Sequence, residues 1–422
     1  MSRSPLGAIF LTVVVDLVGF GIVLPLLPRY ARDFDAGPSE IGLLLASFSA
    51  MQFLFAPLWG RISDRIGRRP VLLVGLSGSV VFYTIFGLAP SLAWLFLARI
   101  GAGLCGATIS ISSAYIADVT RPEERARGMA LIGAAFGIGF TAGPPIGGYA
   151  YHFGRILHEH GHVSESIARG LPGFVAALLS LASLIWTLRA VPEPPRHAAS
   201  ARKIFDAAAF REAVFFPGVS LLLFLSFFSV FSFSSFEGTI SLMLKDRMRY
   251  EERRMSLVFL YIGVVLSLAQ GLLVRRLVPR FGERTFIRAG FALMAAGLCG
   301  IAFAGRLLPL LLALAAAVVG FGSVTPSISS LISRRTDPAR QGSIMGLAQS
   351  VSALGRILGP WLGNVVYGGP GAGKGGALAS LMGGIEFHRR PYVLSAAILF
   401  GLTLLSFAIP EAPDAGRVGE ES

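Results

Sequence analysis

Two carboxylates and two guanidiniums stand inside long apolar runs of this 422-residue chain: Asp16, Glu237, Arg99 and Arg356. A charge held at the centre of a hydrocarbon layer costs about 2.5–3.5 kcal/mol or more, so such groups mark a pathway or a paired network. Their chemistry is proton exchange and ion pairing rather than bond making. No nucleophile–base pair accompanies them, so enzyme activity is not expected, and no cofactor or metal is called for.

Asp16 lies roughly 15 Å of helix from one end of its run, and Arg99 roughly 10–12 Å from the opposite end of its own. In a core about 30 Å thick the two fall at one height. They are expected to form a switchable pair, broken when Asp16 takes a proton. A static pair tying two helices together is the alternative. Glu237 is expected either to pair with Arg356 or to reach toward the outer surface. Gln52 and Asn364, with Gln270 and Gln349, also stand at membrane depth. Hydrogen bonding between helices is their expected role, and substrate contact the alternative.

The elements that must position these groups are apolar and long. The chain is 54% hydrophobic and 14% charged. Runs of about 20 residues recur along its length, enough to cross a hydrocarbon core as helices. Twelve such runs are expected, which gives an all-α membrane fold. The first, 6–28, is read as a retained span and not a cleaved leader, because it contains Asp16 and lacks a small-x-small site. Cys105 and Cys299 fall inside runs, so no disulfide framework is expected. The net charge of +13 is spread unevenly. Lys and Arg crowd the loops on one side, and this bias places both termini in the cytoplasm. Nucleic acid is excluded as a partner, since no binding motif accompanies the charge. Contact with membrane lipid is expected, and a monomer suffices.

The chain also repeats itself. Gly67, Pro122, Gly139, Gly143, Pro144 and Gly147 reappear as Gly282, Pro338, Gly355, Gly359, Pro360 and Gly363, at a near-constant offset of half the chain. Two six-helix bundles are expected, residues 1–191 and 213–422, joined by a proline-broken cytoplasmic linker over 192–212. Parallel repeats place the site between the halves at midplane.

Between the second and third runs stands Gly60-Arg-Ile-Ser-Asp-Arg-Ile-Gly-Arg-Arg69. It resembles the signature between helices two and three of the major facilitator superfamily. Asp64 is expected to favour the dipole of helix eleven, and Arg68 to reach Asp118 at the end of helix four. The resemblance implies that Gly60, Asp64, Arg65, Gly67, Arg68, Arg69, Asp118 and Arg125 form a gate that locks the outward-facing state. A purely topogenic basic loop is the alternative.

Gly139-Phe-Thr-Ala-Gly-Pro-Pro-Ile-Gly-Gly148 resembles the helix-five motif of drug:proton antiporters. Gly139, Gly143 and Gly147 share one face, and Pro144 can bend the helix. The resemblance implies a seal against leakage that includes Gly148. Arg99-Ile-Gly-Ala-Gly103, Asp16 to Pro28, and Ala114 to Asp118 are similar to the tetracycline efflux carriers. In those carriers helix three bears a further acid, where this chain has Phe82. Tetracycline itself is therefore not the expected cargo.

Helix seven carries Phe224, Phe227, Phe228 and Phe231 beside Ser226, Ser229, Ser232 and Ser235. If that boundary faces the cavity it suits a flat amphiphile; otherwise the rings face lipid. Gly368 to Lys374 mimics a phosphate loop but lacks the Ser/Thr that would hold Mg²⁺. His152 to His162 reads as a solvated outer loop rather than a metal site.

The expectation is a proton-coupled exporter of a small lipophilic or amphiphilic compound. The alternatives are a proton-coupled importer of a sugar or organic acid, or a transport-inactive receptor on the same fold.

Overall fold

A computed structural model describes residues 5–106, 108–120, 125–194, 219–336, 341–368 and 384–409. Twelve long helical elements follow one another, and no strand occurs among the described residues. They are α1 (Pro5–Val23), α2 (Pro38–Ile66), α3 (Arg68–Leu88), α4 (Leu92–Cys105 continued by Thr108–Val119), α5 (Arg125–Glu159) and α6 (Glu165–Ala190). The second set is α7 (Val219–Asp246), α8 (Glu252–Leu268), α9 (Glu283–Phe303), α10 (Leu307–Arg334), α11 (Gln341–Tyr367) and α12 (Arg390–Leu405). Eleven candidate spans are long and apolar enough to cross a membrane. The twelfth, α11, has 27 residues and matches them in length.

Two interruptions bear on the site. A short helix, Leu27–Asp33, continues α1 beyond a turn. A π-helical stretch, Ala269–Val274, extends α8 into a last turn at Arg275–Phe281. We call the face where α1 begins the near face and the opposite one the far face.

Local sequence sets the breaks. Pro38 opens α2, and Glu40 reaches back to the Gly37 amide at 2.7 Å, a capping arrangement that satisfies an orphan donor. Gly67 (φ 108°) separates α2 from α3, and Gly282 (φ 78°) precedes α9. Both backbones occupy a region that a Cβ disfavours, so the repeat preserves glycine at both turns.

The buried apolar side chains form clusters that do not mix the two halves. One cluster runs from Val219 to Ile409 and the others lie between Ala8 and Val191. Within the halves, α5 packs on α1 and α11 on α7. Between them, α5 meets α8 and α2 meets α11. Of the expected linker, Pro192–Pro194 are described and the rest lies outside the described residues, as do Pro122 and Pro338.

Candidate functional site

Asp16 stands half-buried on α1. Ser79 on α3 donates to its carboxylate at 3.4 Å, and the Thr108 hydroxyl on α4 stands near it without completing a hydrogen bond. Arg99 on α4 is 3% exposed. Its guanidinium lies 4.6 Å from the Phe48 ring centroid and 5.6 Å from that of Phe20. The expected pair between Asp16 and Arg99 is not formed in this conformation: among the described residues no ion pair joins them. Phe20, one turn beyond Asp16 on α1, fills the space over Arg99, while the Ser79 hydroxyl takes the carboxylate. Tyr83 stands within electrostatic reach of both charges. Phe82 packs against Gly101.

In the second half, Glu237 is the one residue between Ser229 and Leu244 that is not buried. Arg356 is exposed on α11 and lies within electrostatic range of Glu237, without an ion pair between them among the described residues. Asn364 donates to Gly238 O at 3.3 Å and to Pro360 O at 2.8 Å. Gln52 donates to Gly106 O at 2.7 Å. Both amides bridge helices. Gln349 is exposed and Gln270 half-buried.

The helix-seven serines turn toward α11 rather than into open space. Ser226 meets Ser352 at 3.2 Å, and Ser235 abuts Gly363. The phenylalanines Phe224, Phe227, Phe228 and Phe231 stack on one another. Of these, Phe224 is 47% exposed and Phe231 is buried.

At the near face Arg68 is the hub. Its Nε donates to Asp118 at 2.9 Å, and one terminal nitrogen reaches Asp64 at 2.5 Å and Ser63 at 2.7 Å. Asp64 remains 46% exposed and is turned to Arg68. Sequence reasoning missed Glu193 in this cluster. Its carboxylate accepts from the Arg68 amide at 2.6 Å and the Arg69 amide at 2.9 Å, capping the bare amides at the start of α3. Arg69 also donates to Leu188 O at 2.6 Å. Arg65 is exposed, Gly60 faces open space, and the Arg125 side chain lies outside the described residues. The second half has its own version of the Arg68–Asp118 pair. Glu283 at the start of α9 takes Arg334, at the end of α10, at 3.4 Å and Ser330 at 3.0 Å.

The helix-five glycines form a seam on α1. A Cβ at Gly139 would sit 2.6 Å from Leu17 Cβ. One at Gly143 would sit 2.7 Å from Gly21 Cα, and one at Gly147 2.5 Å from Ile22 O. Gly148 abuts Ser256 of α8. The repeat preserves the device: Gly355, Gly359 and Gly363 lie against the Phe227–Ser235 stretch of α7. Pro144 lies inside α5 and Pro360 inside α11.

The four helices that join the halves are jammed at one end and open at the other. Toward the far face, Gly42 of α2 meets the Trp361 backbone of α11 and Gly148 of α5 meets Ser256 of α8, and near mid-length Gly263 of α8 meets Thr141 of α5 and Gly137 of α5 meets Ser267 of α8. Toward the near face, an added Cβ at Gly60 of α2, Gly133 of α5, Gly271 beyond α8 or Gly346 of α11 would meet nothing within 4 Å. Open space at these four helices therefore lies toward the near face.

A polar cluster ties the two halves together at the far face, and the sequence reading did not find it. Arg32 grips Asp246, at the end of α7, with both terminal nitrogens at 2.7 and 2.8 Å. Tyr367, at the end of α11, donates to the same carboxylate at 2.7 Å. Arg29 pairs with Glu252 at the start of α8 and lies 4.8 Å over the Tyr151 ring centroid. Arg29 and Arg32 are three residues apart, a spacing that puts them on one side of the short helix. That spacing was the available signal.

Elsewhere on the far face, His158 and His160 bond to Val163 O at 3.0 Å and Ile156 O at 2.8 Å. Among the described residues no cluster of three metal-ligating side chains occurs. Residues 369–374 of the phosphate-loop mimic lie outside the described residues.

Two helical bundles of membrane-spanning length, with charged clusters at both faces, have the architecture of a membrane carrier. Residues 9–360 match the Major Facilitator Superfamily, and the chain belongs to that family. It is a multi-pass integral membrane protein and not an enzyme. It is 34% identical over 377 residues to the class C tetracycline resistance protein of Escherichia coli, covering 87% of this chain and 90% of that one. It is 27% identical to mouse major facilitator superfamily domain-containing protein 10, over 86% of this chain and 87% of the relative. The crystal structure of the human organic anion transporter MFSD10 (TETRAN) superimposes with a TM-score of 0.68 at 25% identity, covering 97% of this chain and 99% of that one. An inward-facing bacterial homologue of the lysosomal transporter Spinster shares the fold at a TM-score of 0.76 and 17% identity, over 96% of each chain.

Proposed function

We propose that this carrier exports a small lipophilic or amphiphilic compound in exchange for protons, by alternating access. The observation that carries the reading is Asp16: a half-buried carboxylate at mid-depth, bonded to the Ser79 hydroxyl and, among the described residues, not paired with a cation. A group so placed can take and release a proton without breaking an ion pair. The relationship to tetracycline resistance proteins supports export, and Phe82 in place of their acid argues for a different cargo. The human relative described as an organic anion transporter widens the class to charged amphiphiles.

In this reading the near face is cytoplasmic, following the excess of Lys and Arg there. Cargo enters from the cytoplasm or the inner leaflet while the far cluster is closed as a latch. Closure of the near face brings Asp64 toward the positive end of α11, and the latch of Arg32 on Asp246 releases. Cargo leaves and Asp16 takes a proton from the far side. Return to the near-open state delivers that proton to the cytoplasm. The glycine seam lets α1 and α5 move as one body without a leak between them.

Expression in a pump-deficient host tests this. Lipophilic dye accumulation is expected to fall, and a protonophore to abolish the effect. Unchanged dye accumulation together with proton-driven sugar uptake would decide for the importer.

A further inference from the structure

Arg356 has no structural task that explains its place. It stands near the middle of α11, roughly 16 Å of helix from the far end, where a charge is costly. No hydrogen bond or ion pair holds its guanidinium among the described residues, yet its side chain is exposed.

Two exposed stripes run along α11 on opposite sides. Leu354, Leu358 and Trp361 are 41%, 40% and 37% exposed and follow the spacing of one helical face. That stripe is apolar and suits hydrocarbon. Arg356 lies about 160° around the helix from the centre of that stripe, at 100° per residue. It shares its line with exposed Gln349, two turns away, and with half-exposed Met345 and Ser352. A polar stripe opposite a lipid-facing one must look into the water-filled interior.

Glu237 lies across from it, at about 14 Å from the far end of α7. It is less exposed than Arg356 and is flanked by buried Phe236 and Gly238. The charge that the passage offers to an incoming molecule is therefore the cation. Arg99, the other mid-depth cation, is walled off by Phe20 and Phe48.

We propose that Arg356 docks an anionic group of the cargo, so that the exported compound is an amphiphilic organic anion, a carboxylate or sulfonate on a hydrophobic body. Glu237, within electrostatic range of the guanidinium but not paired with it, weakens its hold on an anion. A guanidinium presents paired donors that fit a carboxylate or sulfonate in two-point contact. This specificity rests on the export reading above and deepens it.

The test uses the whole protein in vesicles with an imposed proton gradient. Two dyes of similar size are offered, a lipophilic monocarboxylate and a lipophilic cation, and the concentration dependence of uptake is measured. The wild-type protein is expected to accumulate the carboxylate. Arg356→Gln should raise its KM by ~10- to 100-fold, the loss of a charge-assisted contact, and Arg356→Lys should recover part of it. Glu237→Gln should lower the KM several-fold by removing the opposing charge, an effect of opposite sign that a folding defect would not produce. Accumulation of the cation alone would overturn the anion assignment and leave export standing. An unchanged KM for the carboxylate in Arg356→Gln would overturn the docking role. Transport of neither dye by the wild-type protein would overturn the export reading on which the proposal rests.

Discussion

Glu283 and Arg334 meet at 3.4 Å where the first half brings Arg68 and Asp118 to 2.9 Å, with the signs exchanged. Both pairs join the start of the third helix of a half to the end of the fourth. Glu283 answers to Arg68 and Arg334 to Asp118 at the same half-chain offset as the glycines. The contact has been kept while its polarity has reversed, so geometry and neutralisation matter there more than which helix bears the cation.

A charge exchange in the first half follows from that relationship. Arg68→Asp should slow transport about 10-fold or more, because it leaves Asp118 beside a second carboxylate in a part-buried setting. Adding Asp118→Arg should recover much of the rate, as the second half already works with this polarity. Initial rates in vesicles check it. Failure of the double variant to exceed the single one would mean that Ser63 and Glu193 require the arginine itself.

The far latch should set the balance between the two open states. Asp246→Ala removes the acceptor of Arg32 and Tyr367 together. Charge-assisted contacts of this kind contribute about 1.5–3 kcal/mol, a population shift of ~10- to 100-fold away from the near-open state. Gly346→Cys, in a background with Cys105 and Cys299 replaced by alanine, reports it. Labelling by an impermeant maleimide from the near side should slow in Asp246→Ala. Unchanged labelling would show that the latch does not hold this state.

The glycine seam predicts a contrast between two substitutions on one helix. Gly143→Val forces a side chain into the α1 backbone at Gly21 and should lower the melting temperature or abolish folding, since overpacking costs about 1–3 kcal/mol or more. Gly133→Ala meets open space in this conformation and should leave the melting temperature within a few degrees of the parent. Similar thermal denaturation of the two variants in detergent would contradict the seam.

Much of this architecture was legible in the chain because its signals are periodic or strongly charged. Apolar runs predicted the twelve elements, and the half-chain offset predicted that the second half would repeat the glycine contacts of the first. The motif put Arg68 beside Asp118, but the resemblance assigned that contact to the outward-facing state, and here it stands while the open space lies at the near face. What stayed hidden depends on tertiary placement. Arg29 and Arg32 look like loop charges until Asp246, Glu252 and Tyr367 arrive from the other half. Glu193 hides in a proline-rich segment that reads as linker. The expected pair of Asp16 and Arg99 was inferred from equal depth alone. Depth says nothing of the Phe20 ring that stands over the guanidinium. The serines of α7 were misplaced for a related reason, since their spacing places them on a face but does not say that α11 covers it.

Proton coupling through Asp16 is the centre of the account, and Asp16→Asn tests it most directly. The amide keeps the size of the side chain and its contact with Ser79, but it cannot carry a proton between the two faces. Purified protein in vesicles is given an interior-acid gradient, and dye accumulation is followed beside dye-for-dye exchange. The account predicts that the wild-type protein concentrates the dye, and that Asp16→Asn loses gradient-driven accumulation while retaining exchange. Accumulation by Asp16→Asn at the wild-type level would contradict it and move the proton site to another residue.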